Sequence, residues 1–321
     1  NQHQFTIMRS LTDFVLKEEY KQLEELGDNL AEIDSLIDWG TFRPIIGELY
    51  TNKTERGGRP NIDEIVMLKM LVLQQWNGLS DPEIEKQAID RISFRKFLGF
   101  PNKIPDRSTI WSFRERLAET GKDEKIWKEL QRQIDDLGLK IKRGMIQDAT
   151  FIHADPGHAN VDIPRGDEAK TRRSSDGTWT KKGNKSYFGY KLHTIEDVDH
   201  QLIRRIETTT ASLHDDQVDL SHKGEVAYRD RGYFGTNPKG HNATMQRGVK
   251  NHPIDIRDHL RNKRISKKRS LGERPYAVIK NVFKSGCVMV TTVVRVRVKM
   301  MFTAFSYNLY QLRTLRKQGI V

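Results

Sequence analysis

Met145-Ile146-Gln147-Asp148-Ala149-Thr150-Phe151-Ile152 is the stretch that decides the fold. Upstream of it, apolar residues recur at helical spacing in short segments. From it onward they fall in brief runs bounded by turn residues, the pattern of strands. Met145–His153, Tyr187–Ile195, Leu202–Thr210 and Glu225–Arg229 all read this way.

Working back from that point, residues 9 to about 50 read as helical, with a break at Phe42-Arg43-Pro44. A basic, glycine-containing connector, Thr51–Pro60, follows. Asn61 with Glu64 makes a capping-box-like start. The helix behind it carries Ile65, Leu68, Leu71, Val72 and Trp76 and stops at Gly78. Further helices are expected near Ser80, after Ser93, from Asp106 to Leu117, and over residues 121–137. The expectation is an α/β protein in two parts: an all-helical domain over residues 1–140, then a mixed α/β domain over 141–321. A final helix, Val298 to Leu315, has one apolar side and is expected to pack across the sheet.

The chain has 321 residues, enough for two domains and a substantial core. Its net charge of +12 favours polyanionic partners, because phosphate contacts release counterions. A single cysteine, Cys287, excludes an internal disulfide framework and a cysteine-rich zinc site. No apolar stretch approaches the roughly 20 residues needed to span a bilayer. The first residues lack a secretory signal's pattern, so the expectation is a cytoplasmic protein that meets the chromosome in the nucleoid.

Two segments suit DNA. The Asp106–Leu117 helix carries Arg107, Arg114 and Arg116 beside Ser108, Thr109 and Ser112, as a helix entering a major groove would; a solvated basic face is the plainer alternative. Pro156–Ser186 reads as a long basic loop able to order on a phosphate backbone.

Three acids stand out by context. Asp148 lies in the first strand-like run, Asp230 follows the run ending at Arg229, and Glu273 opens a run with helical periodicity. Most single aspartates are caps or ion-pair partners. Three carboxylates carried on strand ends and one helix, however, can meet at a sheet edge and hold two hard divalent cations for phosphodiester chemistry. Mg²⁺ is the expected ion, with Mn²⁺ able to substitute. Asp155, Asp215 and Asp216 are rival carboxylates. His153, His158, His193 and His214 raise a zinc hydrolase, but no His-Glu-x-x-His pattern occurs.

These motifs together resemble the DDE transposases of prokaryotic insertion sequences. Arg269, Glu273 and Lys280 match the spacing of that family's Tyr-x2-Arg-x3-Glu-x6-Lys signature, with Ser266 at the tyrosine position. Lys185–His193, Thr208–Asp215, Asp230–Tyr233 and residues 61–117 are similar to other stretches of the family. The resemblance implies an RNase H-like catalytic core, with Asp148, Asp230 and Glu273 as the metal-binding catalytic triad. It implies that Arg269 and Lys280 contact the DNA end. Arg264, Lys267 and Lys268 belong to the same basic run and extend that track; Arg107 and Arg114 serve the N-terminal domain. The implied partners are double-stranded DNA, as terminal inverted repeats and as target, and further copies of the chain in a homodimer or higher assembly. The implied activity is cleavage at element ends followed by strand transfer. A nuclease of the same fold without strand transfer, and a DNA-binding protein without catalysis, are the alternatives. Lys280 lies seven residues after Glu273, which predicts a shared face on a regular α-helix.

Overall fold

The computed structural model describes residues 11–50, 61–157, 174, 176–250 and 252–321. The connector Thr51–Pro60, His158, and most of the basic segment between the first two expected strands lie outside them. Helices come first: α1 (Leu11–Leu26), α2 (Asn29–Asp34), α3 (Arg43–Gly47), α4 (Glu64–Asn77), α5 (Asp81–Asp90), α6 (Ile92–Phe97), α7 (Arg107–Thr120) and α8 (Asp123–Asp136). Their limits follow local chemistry. Ser80 caps α5 by accepting from the Glu83 N–H, and Asp106 caps α7 by accepting from the Thr109 N–H. Gly78 ends α4 in the left-handed conformation, φ 62°.

Two expectations are corrected here. The cap of α4 is Asp63, which accepts from the Ile65 and Val66 N–H groups; Asn61 lies too far upstream to do so. Pro44 falls in the first turn of α3, where its missing N–H costs nothing, so it starts a helix that was expected to break there.

The sheet contains β1 (Met145–Ala154), β2 (Thr178–Lys182), β3 (Lys185–Asp197), β4 (Ile203–Thr210), β5 (Val226–Arg229), β6 (His241–Thr244) and β7 (Cys287–Val288). The path β2-β3-β1-β5-β6 runs through it, with β4 also on β3 and β7 also on β1. The segment Thr178–Lys182 was expected within a loop; it pairs antiparallel with the start of β3 instead. Its lysine-rich composition hides the strand, which sits at a sheet edge where charged residues are tolerated.

β1 is the pivot. Along one side it pairs antiparallel with β3 from Met145 to His153. Along the other it pairs in parallel with β5 at Met145 and Ile146, then with β7 at His153 and Ala154. Among the described strands, none occupies that second side from Gln147 to Ile152.

After β6 come α9 (Ile256–Arg269), α10 (Glu273–Ala277) and α11 (Val293–Lys317). α11 is the long apolar helix expected at the end of the chain. It contacts β4 on one side and α4, α7 and α8 on the other. Its Asn308 accepts from the Ile203 N–H at 2.9 Å and donates to the Ile203 carbonyl at 2.8 Å, satisfying backbone at the start of β4. One continuous apolar cluster therefore runs from Phe42 and Leu71 through Phe305 to Ile152 and Ile203.

Candidate active site at the open edge of the central strand

Asp148 lies in the part of β1 that β5 has left and β7 has not reached. Continuing the parallel register Met145–Ala227 and Ile146–Tyr228 brings Asp148 level with Asp230, the first residue past β5. Asp230 is fixed by its own turn: its Oδ1 accepts from the Gly232 N–H at 2.7 Å. The two carboxylates are thus brought level because β5 ends just before Asp230 while β1 runs on past Asp148, an arrangement that follows from the topology.

The segment carrying Glu273 crosses beside them. Arg269 closes α9 and its Nη2 donates to Asp148 Oδ2 at 3.0 Å. A tight turn, Ser270–Gly272, leads into α10, where Glu273 is the first residue and is exposed. Tyr276 is tied to Thr194 by a 2.7 Å hydroxyl–hydroxyl bond, and Thr194 is the register partner of Asp148 on β3. Glu273 is therefore bracketed by two contacts to the neighbourhood of Asp148. Gly272 packs so closely that an added Cβ would lie 2.5 Å from Glu196 Oε1 and 2.9 Å from Ile146 Cγ2.

Negative charge is concentrated here. Burial pushes the Asp148 carboxyl above its ordinary range; Arg269 opposes this, while Asp230 and Asp215 add to it. Glu196 is only 2% exposed and its Oε2 has no hydrogen-bond partner. Burial first, then Asp148 and Asp197, drive its carboxyl well up. Burial also raises Tyr276 and Tyr233, with Asp148 reinforcing both. The crowding of acids and the all-oxygen donor set fit a hard divalent cation. Among the described residues, no three His, Cys, Asp or Glu side chains close into a finished metal cage. Asp148 and Asp230 lie at the strand edge and Glu273 on α10, without a preformed coordination shell among the described residues.

The remaining expected residues fall into three groups. Arg264 and Lys267 are exposed on α9, and Lys268 lies 5.3 Å from the Tyr228 ring centroid, so the basic run borders the edge. Arg107 is exposed in the first turn of α7. Arg114 does not stand on an open helix face. It is 7% exposed and makes two 2.8 Å bonds to Asp81, because its position on α7 points it at α5. The regular α-helix expected from Glu273 to Lys280 is not what forms. Val278–Val282 is a π-turn, whose wider winding departs from the α geometry on which the seven-residue spacing relied. Lys280 instead stands near Lys182 and His153; burial and the Lys182 charge lower its ammonium.

Of the histidines, His193 is buried and bonded to Thr209 at 2.9 Å; burial, reinforced by Lys191 and opposed by Asp215, pushes it down to about 4. It is neutral structural packing. Glu196, Thr194 and Tyr276 were missed from the sequence. The parity of β3 could have found Glu196, because Leu192, Thr194 and Glu196 alternate onto one face.

Two known families match the chain. A family described as "Transposase DDE domain" matches residues 140–309, just over half the chain, and one described as "Transposase domain (DUF772)" matches residues 18–116. The chain belongs to the DDE transposases of insertion-sequence type. That family consists of polynucleotidyl transferases that act on DNA and generally use a divalent metal. No solved structure matches the chain, and no helix among the described residues is long and apolar enough to cross a membrane.

Proposed function

We propose that this transposase cuts DNA at the ends of an insertion sequence and joins the freed ends to target DNA. Asp148, Asp230 and Glu273 are the residues that would hold two Mg²⁺ ions, with Mn²⁺ as a substitute. Bound there, the ions supply Lewis acidity that activates a water or a 3′-hydroxyl and offsets charge on the leaving oxygen. The observation that carries this reading is the parallel register of β1 and β5, which brings Asp230, just past β5, level with Asp148, with Arg269 bonded to Asp148.

The chain's own groups have separable tasks. Asp148 and Asp230 present oxygens from rigid backbone, so little reorganisation is needed. Arg269 orients Asp148, and the Tyr276–Thr194 bond anchors the helix that begins at Glu273. Arg264, Lys267, Lys268 and Lys280 form the phosphate track beside the site, and Arg107 serves the helical region, residues 1–140, in reading element ends. Residues 141–321 form the catalytic part. Two ends must be handled together, which favours a homodimer or larger assembly on DNA at the nucleoid.

The test is a cleavage and joining assay with labelled DNA taken from the flanks of the element. Mg²⁺-dependent nicking and a joined product are expected, with both lost on Asp148→Asn by about 100-fold or more, the scale of a removed metal ligand. Nicking without joining supports a nuclease of this fold instead. Nicking unchanged by Asp148→Asn contradicts the assignment.

A further inference from the structure

The two faces of the sheet differ. α10 and α11 pack on the face that carries Ile146, Thr194 and Glu196. Register assigns the other face Phe151 and His153 from β1, Lys185 and Tyr187 from β3, and Lys182 from β2. At one end of this second face the segment 213–220 lies across it: Gln147 donates to the Val218 carbonyl and accepts from the Leu220 N–H, and Lys191 donates to the Leu213 carbonyl. At the other end, among the described residues, no helix packs.

That end carries a cluster of rings. Phe151 and His153 centroids are 4.7 Å apart, Phe151 and Tyr187 5.4 Å, and His153 and Tyr187 5.6 Å. Gly189, the register partner of His153, lets β3 lie close against β1 at this point, because a Cβ there would lie 2.2 Å from the Ile152 carbonyl oxygen. His153 is exposed, and Phe151 and Tyr187 are half-buried. Burial and the Lys280 charge lower the His153 imidazole, so at neutral pH it is a flat aromatic group rather than a cation.

Cations rim the rings. Lys182, Lys185 and Lys280 are all exposed, and Lys182 stands close enough to disfavour the charge on Lys280. No ion pair among the described residues neutralises them; nearby Lys191, by contrast, is paired with Asp215 at 2.8 Å. Like charges gathered beside accessible aromatic faces match what a single nucleic-acid strand requires: phosphates for the ammonium groups and bases for the rings. A duplex buries its base faces by stacking and cannot use the rings. Phe151 is three residues along β1 from Asp148, about 10 Å and on the opposite face of the sheet, and no described strand covers the side of β1 between β5 and β7.

We propose that Phe151, His153 and Tyr187, rimmed by Lys182 and Lys280, form a stacking platform for unpaired nucleotides of a DNA strand leaving the candidate active site. The location of that strand rests on the catalytic reading above; the binding itself does not. The full chain is titrated with a 12-nucleotide oligothymidylate and with a duplex of equal length, by fluorescence anisotropy without metal. His153→Ala and Tyr187→Leu, each checked for an unchanged melting transition, are compared with the parent. Each is expected to weaken single-strand binding about five- to tenfold or more, the scale of one lost stacking contact, and to change duplex binding less than twofold. Because His153 is exposed, its variant keeps the test decisive if Tyr187→Leu fails to fold. Unchanged single-strand affinity in His153→Ala, or equal losses for single strand and duplex, overturns the platform. A protein that passes this test but neither nicks nor joins DNA retains the platform and loses the catalytic reading, so the two failures are distinguishable.

Discussion

Arg269 Nη2 and Asp148 Oδ2 stand 3.0 Å apart, which ties the last residue of α9 to the centre of β1, four residues before Glu273. Both side chains are partly shielded from solvent, at 17% and 28% exposure, so the bond is stronger than a surface pair. Arg269→Ala should lower unfolding stability by about 1–2 kcal/mol, the scale of one charged hydrogen bond. Arg269→Lys should recover only part of it, because an ammonium cannot replace the planar guanidinium. Urea unfolding of the three proteins checks this; equal stability would show the bond to be incidental.

Arg114 and Arg107 lie on one helix and should behave oppositely. Arg114→Ala leaves Asp81 partly buried without its partner and should cost about 2–4 kcal/mol. Arg107→Ala should leave stability within about 0.5 kcal/mol and reduce the salt dependence of duplex binding by about one phosphate contact. Thermal melts and binding over a salt series separate the two. A stable Arg114→Ala protein with weakened DNA binding would return Arg114 to the DNA surface.

The contact between Gly272 and Glu196 predicts a coupled pair. Gly272→Ala places a methyl group against a buried carboxyl and the Ile146 side chain. Overpacking of this kind costs about 1–3 kcal/mol. Adding Glu196→Ala should relieve it, giving a coupling of about 1 kcal/mol or more in a double-mutant cycle. Additive effects would mean that the turn before Glu273 moves freely over β3.

Asp199 gives a pH signature. Burial alone raises its carboxyl, but the Arg143 and Lys142 N–H groups and the Arg143 guanidinium outweigh it and hold it at about 2. A folded value below the ordinary carboxylate range means stability that is present above about pH 4 and lost as pH falls towards 2. The shift corresponds to about 2 kcal/mol. Asp199→Asn should cost about that at pH 7, and the gap to the parent should narrow as pH falls from about 4 to about 2. A gap that stays constant with pH would contradict the bonding at this turn.

How much of this was legible in the sequence depends on range. Ser80, Gly78 and Asp106 mark helix ends because caps act over three or four residues. The main strands were legible because β-branched and aromatic residues cluster in them. β2 was not, because two of its five residues are lysines and its pairing with β3 is what makes it a strand. The π-turn at Val278–Val282 has no local signature and broke the spacing argument for Lys280. Arg114 was misjudged for a related reason: a basic residue on an amphipathic helix looks solvent-facing until the neighbouring helix supplies Asp81. Asp148, Asp230 and Glu273 could be singled out from their flanks, and the parity of β3 could have added Glu196, but Tyr276 depends on helix packing, which no local pattern encodes.

Metal binding by the three acids is the claim on which the rest depends. Mn²⁺ binding to the full chain in the presence of element-end DNA, followed by electron paramagnetic resonance, measures it without requiring turnover. The parent should take up two ions per chain, and Asp148→Asn, Asp230→Asn and Glu273→Gln should each weaken uptake by about tenfold or more. Uptake equal to the parent in all three variants would contradict the account.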